Sequence, residues 1–417
     1  MASGVYFPIV QELVNKIAAE DGWFSSFEQA VVDAVAAAPK DMQGIQTLGD
    51  FFTYINGLLR WVPFEEGLIV EGQEEEGLQG REIYKKLCLF YFVFSQQSVY
   101  KYQTQIEPQN ANQQPLDWLS DWLVRYAQEA GKFMDTPESF TDESLETFKK
   151  CDNYHMEEYI EPHGGWKSFN QFFARNTKPG YRPVADIANS NVIVSPADST
   201  FEDQWPVDSD SIVTIVNEIN IKGIPWQISE LLYQSDYKNE FSGGIFMHSF
   251  LKPNDYHRLH APIGGKVLEA RIIPGQVYLE VKADNNGRLQ PIRRIAPAPI
   301  KLRVSNKGHG PGDELRDLIA PNSAGYQFCQ MRGLFVLDTE IGYVAVLPIG
   351  MAQVSSVIPT AEVGKTVQKG EELAYFQFGG SDIVLVFQEK SGVQITAAKD
   401  KHYKMGEQIG TANPVSY

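Results

Sequence analysis

Seven histidines serve the 417 residues of this chain, and two of them stand three positions apart in Asp255-Tyr256-His257-Arg258-Leu259-His260-Ala261-Pro262. Imidazole is the side chain that titrates nearest neutrality, which makes this segment a candidate for general acid and base work. Beside an Asp and an Arg the pair could equally be structural, or could offer two ligands to a metal that takes a third from elsewhere. Pro253 and Pro262 bracket the segment and argue against one helix presenting both rings. A second cluster is Phe378-Gly379-Gly380-Ser381-Asp382. Two glycines ahead of a serine admit backbone conformations closed to other residues and expose the Gly380 carbonyl to the Ser381 hydroxyl. The same five residues would also make a plain β-turn. Ser195-Pro196-Ala197-Asp198 adds a carboxylate at the end of an expected strand. Gly308-His309-Gly310-Pro311-Gly312 lacks the Lys-Ser/Thr of a phosphate-binding loop and reads as an ordinary loop.

These residues need elements to position them, and the apolar pattern divides the chain in two. Up to about residue 150, apolar side chains recur every three or four positions, as in Val10, Leu13, Val14 and Ile17 or Phe51, Tyr54, Ile55 and Leu58. The pattern predicts further helices over 81–96 and 115–133, with Pro115 in a first turn, and a surface loop over the Gln/Asn-rich 103–114. After Gly164 come short β-branched and aromatic stretches between Gly, Pro and Asn, at 191–196, 243–250 and 342–348. The expected fold class is α+β, with a helical domain over 1–160 and a mostly β catalytic domain over 161–417. Gly264-Gly265-Lys266-Val267 and Val363-Gly364-Lys365-Thr366-Val367 look alike. Each predicts a strand, a glycine turn and a second strand, in the manner of biotinyl and lipoyl carrier hairpins. Neither turn offers a lysine flanked by Met or by Asp-Ala as such carriers present it, so attachment of biotin or lipoate is not expected.

The balance of 36 Lys+Arg against 53 Asp+Glu gives a formal charge of −17. That disfavours phosphate backbones and anionic lipid surfaces, so neither nucleic acid nor a membrane is an expected partner. Cys88, Cys151 and Cys329 have no CxxC spacing and read as buried thiols in a reducing compartment. The first ten residues lack a signal-peptide pattern, and the longest apolar run, 87–94, is far below the roughly 18 residues of a membrane span. A soluble, cytoplasmic protein is expected.

Taken in order, several segments resemble the phosphatidylserine decarboxylase family between about Trp166 and Phe387. They are Ser168 to Arg175 with Lys178-Pro179-Gly180 and Arg182-Pro183, then Ser195-Pro196-Ala197-Asp198, Ile221-Lys222-Gly223 with Leu231-Leu232, Asp255 to Pro262, and Lys369-Gly370 through Gly380-Ser381. The resemblance implies that Ser381 is the precursor of a pyruvoyl cofactor. Its hydroxyl would attack the Gly380 carbonyl, the amide would become an ester, and β-elimination would cut the chain between 380 and 381. The dehydroalanine left behind would hydrolyse to pyruvoyl and ammonia. By the family's Asp-His-Ser arrangement, His260 would be the base, Asp198 would fix its tautomer, and His257 would donate a proton during decarboxylation. No metal is implied. The two cleavage products would stay associated; any homo-oligomer is left open.

The chain also departs from the family. The usual Leu-Gly-Ser-Thr at the cut is Phe378-Gly379-Gly380-Ser381-Asp382 here, a polar insert runs over 283–326 with Arg288, Arg293, Arg294 and Arg303, and a helical domain stands where a membrane anchor or lipid-binding module would. These features resemble the soluble fungal branch and its pyruvoyl-dependent L-tryptophan decarboxylase. They make a free, aromatic L-amino acid the expected small-molecule substrate, with the insert forming part of the pocket. Phosphatidylserine, decarboxylated to phosphatidylethanolamine, is the alternative, and a catalytically silent binding module is a third.

Overall fold

Pro8 opens α1 (Pro8–Ala19), where its missing N–H would have had no helical partner in any case. Val10, Leu13 and Ile17 recur at the helical period and are buried, so this helix lays one face on the core. α2 (Trp23–Ala37) and α3 (Leu48–Leu58) follow. A capping box starts α3: Thr47 accepts the Asp50 N–H at 3.1 Å and Asp50 accepts the Thr47 N–H at 2.9 Å. α4 (Glu82–Phe94), α5 (Gln97–Tyr100), α6 (Trp118–Met134), α7 (Asp142–Lys149) and the short α8 (Phe169–Phe173) come next. The structure, a computed structural model, describes residues 6–65, 82–106, 108, 110–215, 224–292, 325–350, 356–378 and 381–414.

Two expectations about this half are corrected. Pro115 lies outside α6, because the Asp117 N–H is taken by the Thr104 hydroxyl at 2.6 Å and the helix begins after it. The loop 103–114 is not a surface loop: Gln103, Thr104, Ile106, Ala111 and Asn112 are buried. Its amides serve as hydrogen-bond partners inside, Gln103 donating to the Phe94 carbonyl and Asn112 to the Glu230 carbonyl.

Strands begin at Val192, and α9 (Ile228–Leu231) lies among them. Among the described residues an eight-stranded antiparallel sheet runs in the order β13 (Thr366–Val367), β7 (Gly265–Ile273), β10 (Arg332–Thr339), β11 (Gly342–Gly350), β15 (Ser381–Phe387), β5 (Ile245–Leu251), β2 (Ser199–Pro206), β17 (His402–Tyr403). Two smaller sheets join β1 (Val192–Val194), β18 (Gln408–Thr411) and β16 (Gln394–Ile395), and β12 (Val357–Pro359), β14 (Glu372–Phe376) and β6 (Arg258–His260). β3 (Ile212–Ile215) pairs with β4 (Ile224–Gln227), and β8 (Glu280–Ala283) with β9 (Leu289–Ile292). The fold is α+β, as expected. The paired carrier-like hairpins are not: Gly265 opens one nine-residue strand, β7, and the two look-alike segments pair with each other, Thr366 opposite Lys266 and Val367 opposite Gly265.

β15 lies inside the large sheet, and Ile383 through Phe387 are fully buried on both of its faces. That burial explains an unbroken apolar run in place of alternation. One continuous apolar core joins helices and sheets, running from Trp122 and Phe94 to Leu385. The three cysteines are buried, and none is in a disulfide. No helix among the described residues is long and apolar enough to cross a membrane.

Candidate active site

Ser381 is the first residue of β15 and stands in register between Gly350 of β11 and Leu251 of β5. Gly379 and Gly380 lie outside the described residues. The chain ahead of them is clamped by α8, which Ser168 caps by accepting the Gln171 N–H at 3.2 Å. From α8, Asn170 Oδ1 accepts the Phe378 N–H at 2.9 Å. Phe169 and Phe173 meet the Phe378 ring edge-on at 5.0 and 5.7 Å.

His257 is fully buried and stacks on Phe173 with ring centroids 3.9 Å apart. Burial, helped by the charge of Arg175, holds its pKa down at about 3, so the ring is neutral at pH 7. Arg175 itself lies over the Tyr159 ring at 4.1 Å and donates to the Asn254 carbonyl at 2.8 Å.

His260 closes β6, and both its ring nitrogens are engaged. Nδ1 donates to the Gly370 carbonyl at 2.8 Å, which leaves Nε2 to accept the Tyr256 hydroxyl at 3.0 Å. Burial lowers its pKa as well. Gly370 has φ of +81°, and a Cβ there would come within 2.5 Å of Val184, so only glycine presents this carbonyl to the histidine. With neither nitrogen of His260 open to a metal, the pairing of His257 and His260 as ligands has no support in the geometry.

Asp198 is buried and bound to Arg182, with Nε–Oδ1 at 2.8 Å and Nη2–Oδ2 at 2.5 Å, and it accepts the Met405 N–H at 2.8 Å. It makes no hydrogen bond to His260, so the expected tautomer control falls to Gly370. The two motifs still meet through the backbone, since the His260 N–H donates to the Pro196 carbonyl at 2.8 Å. Arg182 connects them on the side-chain level: its guanidinium lies 5.7 Å from the Tyr256 ring, and Glu158 takes its remaining charge-assisted bond at 2.7 Å.

A third group was not singled out from the sequence. His248 Nε2 lies 3.0 Å from Asp382 Oδ2, the Tyr326 hydroxyl donates to the same carboxylate, and the Gln327 amide is 3.0 Å from His248. All four side chains are buried. The signals were a histidine within the apolar stretch Ile245–Leu251 and an Asp directly after Ser381, where the family has Thr. Asp382 Oδ1 and Gln327 Oε1 have no hydrogen-bond partner. The insert 283–326, expected at the pocket, lies mainly outside the described residues.

A cavity of about 540 Å3 opens beside the clamp, between α6 and the strands, with Phe378, Gln377, Asn170 and Met331 in its wall. It abuts the site: the Met331 carbonyl accepts the N–H of Gly350, the residue opposite Ser381.

Residues 169–411, which include Phe378, Ser381, Asp382, His248, His257, His260, Gly370, Arg182 and Asp198, match the family described as phosphatidylserine decarboxylase. The chain belongs to the phosphatidylserine decarboxylase family. Phosphatidylserine decarboxylase proenzyme 3 of Schizosaccharomyces pombe is 30% identical over 288 residues, 67% of this chain and 25% of that protein. Proenzyme 2 of Oryza sativa subsp. japonica is 30% identical over 282 residues, 67% of this chain and 38% of the relative. The proenzyme of Fusobacterium nucleatum is 29% identical over 302 residues, 70% of this chain and 83% of the relative. The chain thus spans well under half the length of the first two. Among solved structures, glucose permease IIA from Mycoplasma capricolum covers 50% of the chain at 14% identity and a TM-score of 0.21, too low for an argument about fold.

Phosphatidylserine decarboxylases are carboxy-lyases that carry a pyruvoyl group formed from a serine of their own chain. The residues here fit such a group. Ser381 opens β15 just past the clamp on Phe378, with Gly350 and Leu251 opposite it in register.

Proposed function

We propose that this chain is a self-processing, pyruvoyl-dependent decarboxylase, cut between Gly380 and Ser381, with Ser381 as the source of the pyruvoyl group. Family membership supports the reading, and one observation carries it. Segments up to about 200 residues apart in sequence converge on the chain that leads into β15: Asn170 Oδ1 accepts the Phe378 N–H and the His257 carbonyl accepts the Phe376 N–H, while Pro196 and Gly370 hold the backbone and the ring of His260 on β6, the strand beside β14. His260 offers the Nε2 lone pair as base for the Ser381 hydroxyl, in the tautomer that Gly370 selects. Asp198 is a positioning residue that acts through Arg182. His257 serves decarboxylation as a proton relay: its ring, neutral at pH 7, takes up one proton before it gives one. The pyruvoyl group supplies an electrophilic ketone for the substrate's amine and a sink for the electrons left as the carboxylate departs.

The relatives' names support phosphatidylserine as the substrate, giving phosphatidylethanolamine. A second reading, a free aromatic amino acid such as L-tryptophan, is favoured by the size of the cavity, whose 540 Å3 lies within the range of roughly 300–1,000 Å3 of small-molecule pockets. The resemblance of Phe378-Gly379-Gly380-Ser381 to the soluble fungal branch supports it too.

Mass spectrometry of the purified chain tests the processing. Pieces of 380 and 37 residues are expected, the smaller with a borohydride-reducible carbonyl at its start. A chain that stays at 417 residues overturns the proposal. Release of CO2 from phosphatidylserine vesicles, measured beside the twenty L-amino acids, separates the two substrates.

A further inference from the structure

The cavity beside Phe378 has walls from both parts of the chain. On one side stands α6, contributing Val124, Ala127, Ala130, Gly131 and Met134; on the other stand Ile272, Pro274, Val277 and Met331 from β7, β10 and their connections. Four of its polar groups gather at the end that holds Phe378. There Asn170 donates to Asp135 at 2.8 Å, Gln377 donates to the same carboxylate at 3.2 Å, and Ser356 donates to Gln377 at 2.8 Å. Apart from Gln128 and Lys132 of α6 the rest is apolar, and the small residues of that helix keep it open. A Cβ built on Gly131, in the last turn of a 17-residue helix, would meet no atom within 4 Å.

An apolar chamber with a polar end that adjoins the reactive residue suits a molecule built the same way. We propose that this cavity receives the apolar part of the decarboxylase's own substrate, its α-amino carboxylate lying toward residue 381, and that α6 of the helical region is therefore a specificity wall of the active site. The inference rests on the decarboxylase reading and adds to it a role for the helices. The continuity is structural: Phe378 lies three residues before Ser381, and Met331 is bonded to Gly350, the residue opposite Ser381. The apolar part could be the side chain of a free amino acid or the glycerol and acyl portion of a lipid, and the assay distinguishes these.

Gly131→Leu fills the chamber from a position where space is open, and Val124→Phe fills it from the next turns of the same helix. Each full-length variant is scored for self-cleavage by mass, for melting temperature, and for CO2 release from phosphatidylserine vesicles and from L-tryptophan and L-leucine. The expected result is complete self-cleavage, a melting temperature like that of the parent, and at least a tenfold rise in KM for whichever substrate the parent turns over. Either variant that keeps the parental melting temperature decides the matter. An unchanged KM in a cleaved variant overturns the proposal, as does a cleaved parent inert toward all three substrates. A parent that never cleaves overturns the decarboxylase reading instead.

Discussion

The two nitrogens of His260 have different neighbours, and that difference makes the roles of nearby residues separable. His260→Ala removes the proposed base and should leave the precursor uncut on a gel, with little change in melting temperature. Tyr256→Phe takes away the hydroxyl that occupies Nε2 at 3.0 Å, so it should cut at least as fast as the parent. An uncut Tyr256→Phe chain would make the phenol part of the proton path. Asp198→Asn behaves differently. It removes charge from a buried pair that also orders the Met405 turn, and should cost on the order of 3 kcal/mol while slowing cleavage. His257 adds a pH dependence. An ordinary histidine titrates near 6.5, whereas burial beside Arg175 holds this one at about 3. Between those values the unfolded chain binds a proton that the folded chain does not, so its stability contribution is present above 6.5 and is lost as pH falls. His260 shifts in the same direction, and His402, raised by its bond to Asp255, works in the opposite one. His257→Phe can keep the stack on Phe173 without the titration. Urea unfolding at pH 5.5, 5 and 4.5 should show a slope against pH smaller by about 1.4 kcal/mol per unit. An unchanged slope would mean that His257 titrates like an exposed residue. At this scale the sequence was legible where residue types cluster: His257, His260 and Ser381 stood out by density and spacing. The partner of Asp198 did not, because Arg182 lies 16 residues upstream and reaches it only through the packing of β2 against the turn around Met405.

Helical and strand periods were readable because burial imposes them: α1, α3, α6, β5 and β11 each carry the pattern that their packing requires. The loop 103–114 was not, since composition alone reads Gln and Asn as solvent-facing. What buries it is a charge from another part of the chain. Arg332 on β10 is fully enclosed, and donates to Asn112 Oδ1 and to the carbonyls of Leu231 and Gln330 at 2.8 Å, and to that of Glu230 at 2.7 Å. Burial presses its pKa down to about 9, which still leaves it charged at pH 7. One side chain thus ties the helical loop to α9 and the large sheet. Arg332→Met fills a similar volume but strands those acceptors, at roughly 1–3 kcal/mol for each that water cannot reach. A loss of at least 3 kcal/mol in urea unfolding is expected, together with new proteolytic nicking within 103–114. Parental resistance to protease there would show that the loop is held by its own contacts.

For the molecule as a whole, the proposed cut falls in an unusual place. Cleavage between 380 and 381 would free a 37-residue piece whose first strand, β15, sits inside the eight-stranded sheet with β11 on one side and β5 on the other. Seven residues of β15 are in register with each neighbour, and the five from Ile383 to Phe387 are fully buried. At roughly 1.5–3 kcal/mol for each buried apolar side chain, those five alone hold the piece by on the order of 10 kcal/mol. The remainder of the piece adds β16, β17 and β18, which pair with β2 and β1 in the larger piece and with one another. Self-cleavage at that point would break a covalent bond at the start of a strand without releasing the strand. The two pieces should elute together from size exclusion in native buffer, even at nanomolar concentration, and separate in urea. Val384→Asp, which buries an unpaired charge within β15, should weaken that association sharply. Pieces that part in native buffer would contradict the placement of β15, because no strand with two paired edges and two covered faces leaves a sheet without unfolding it.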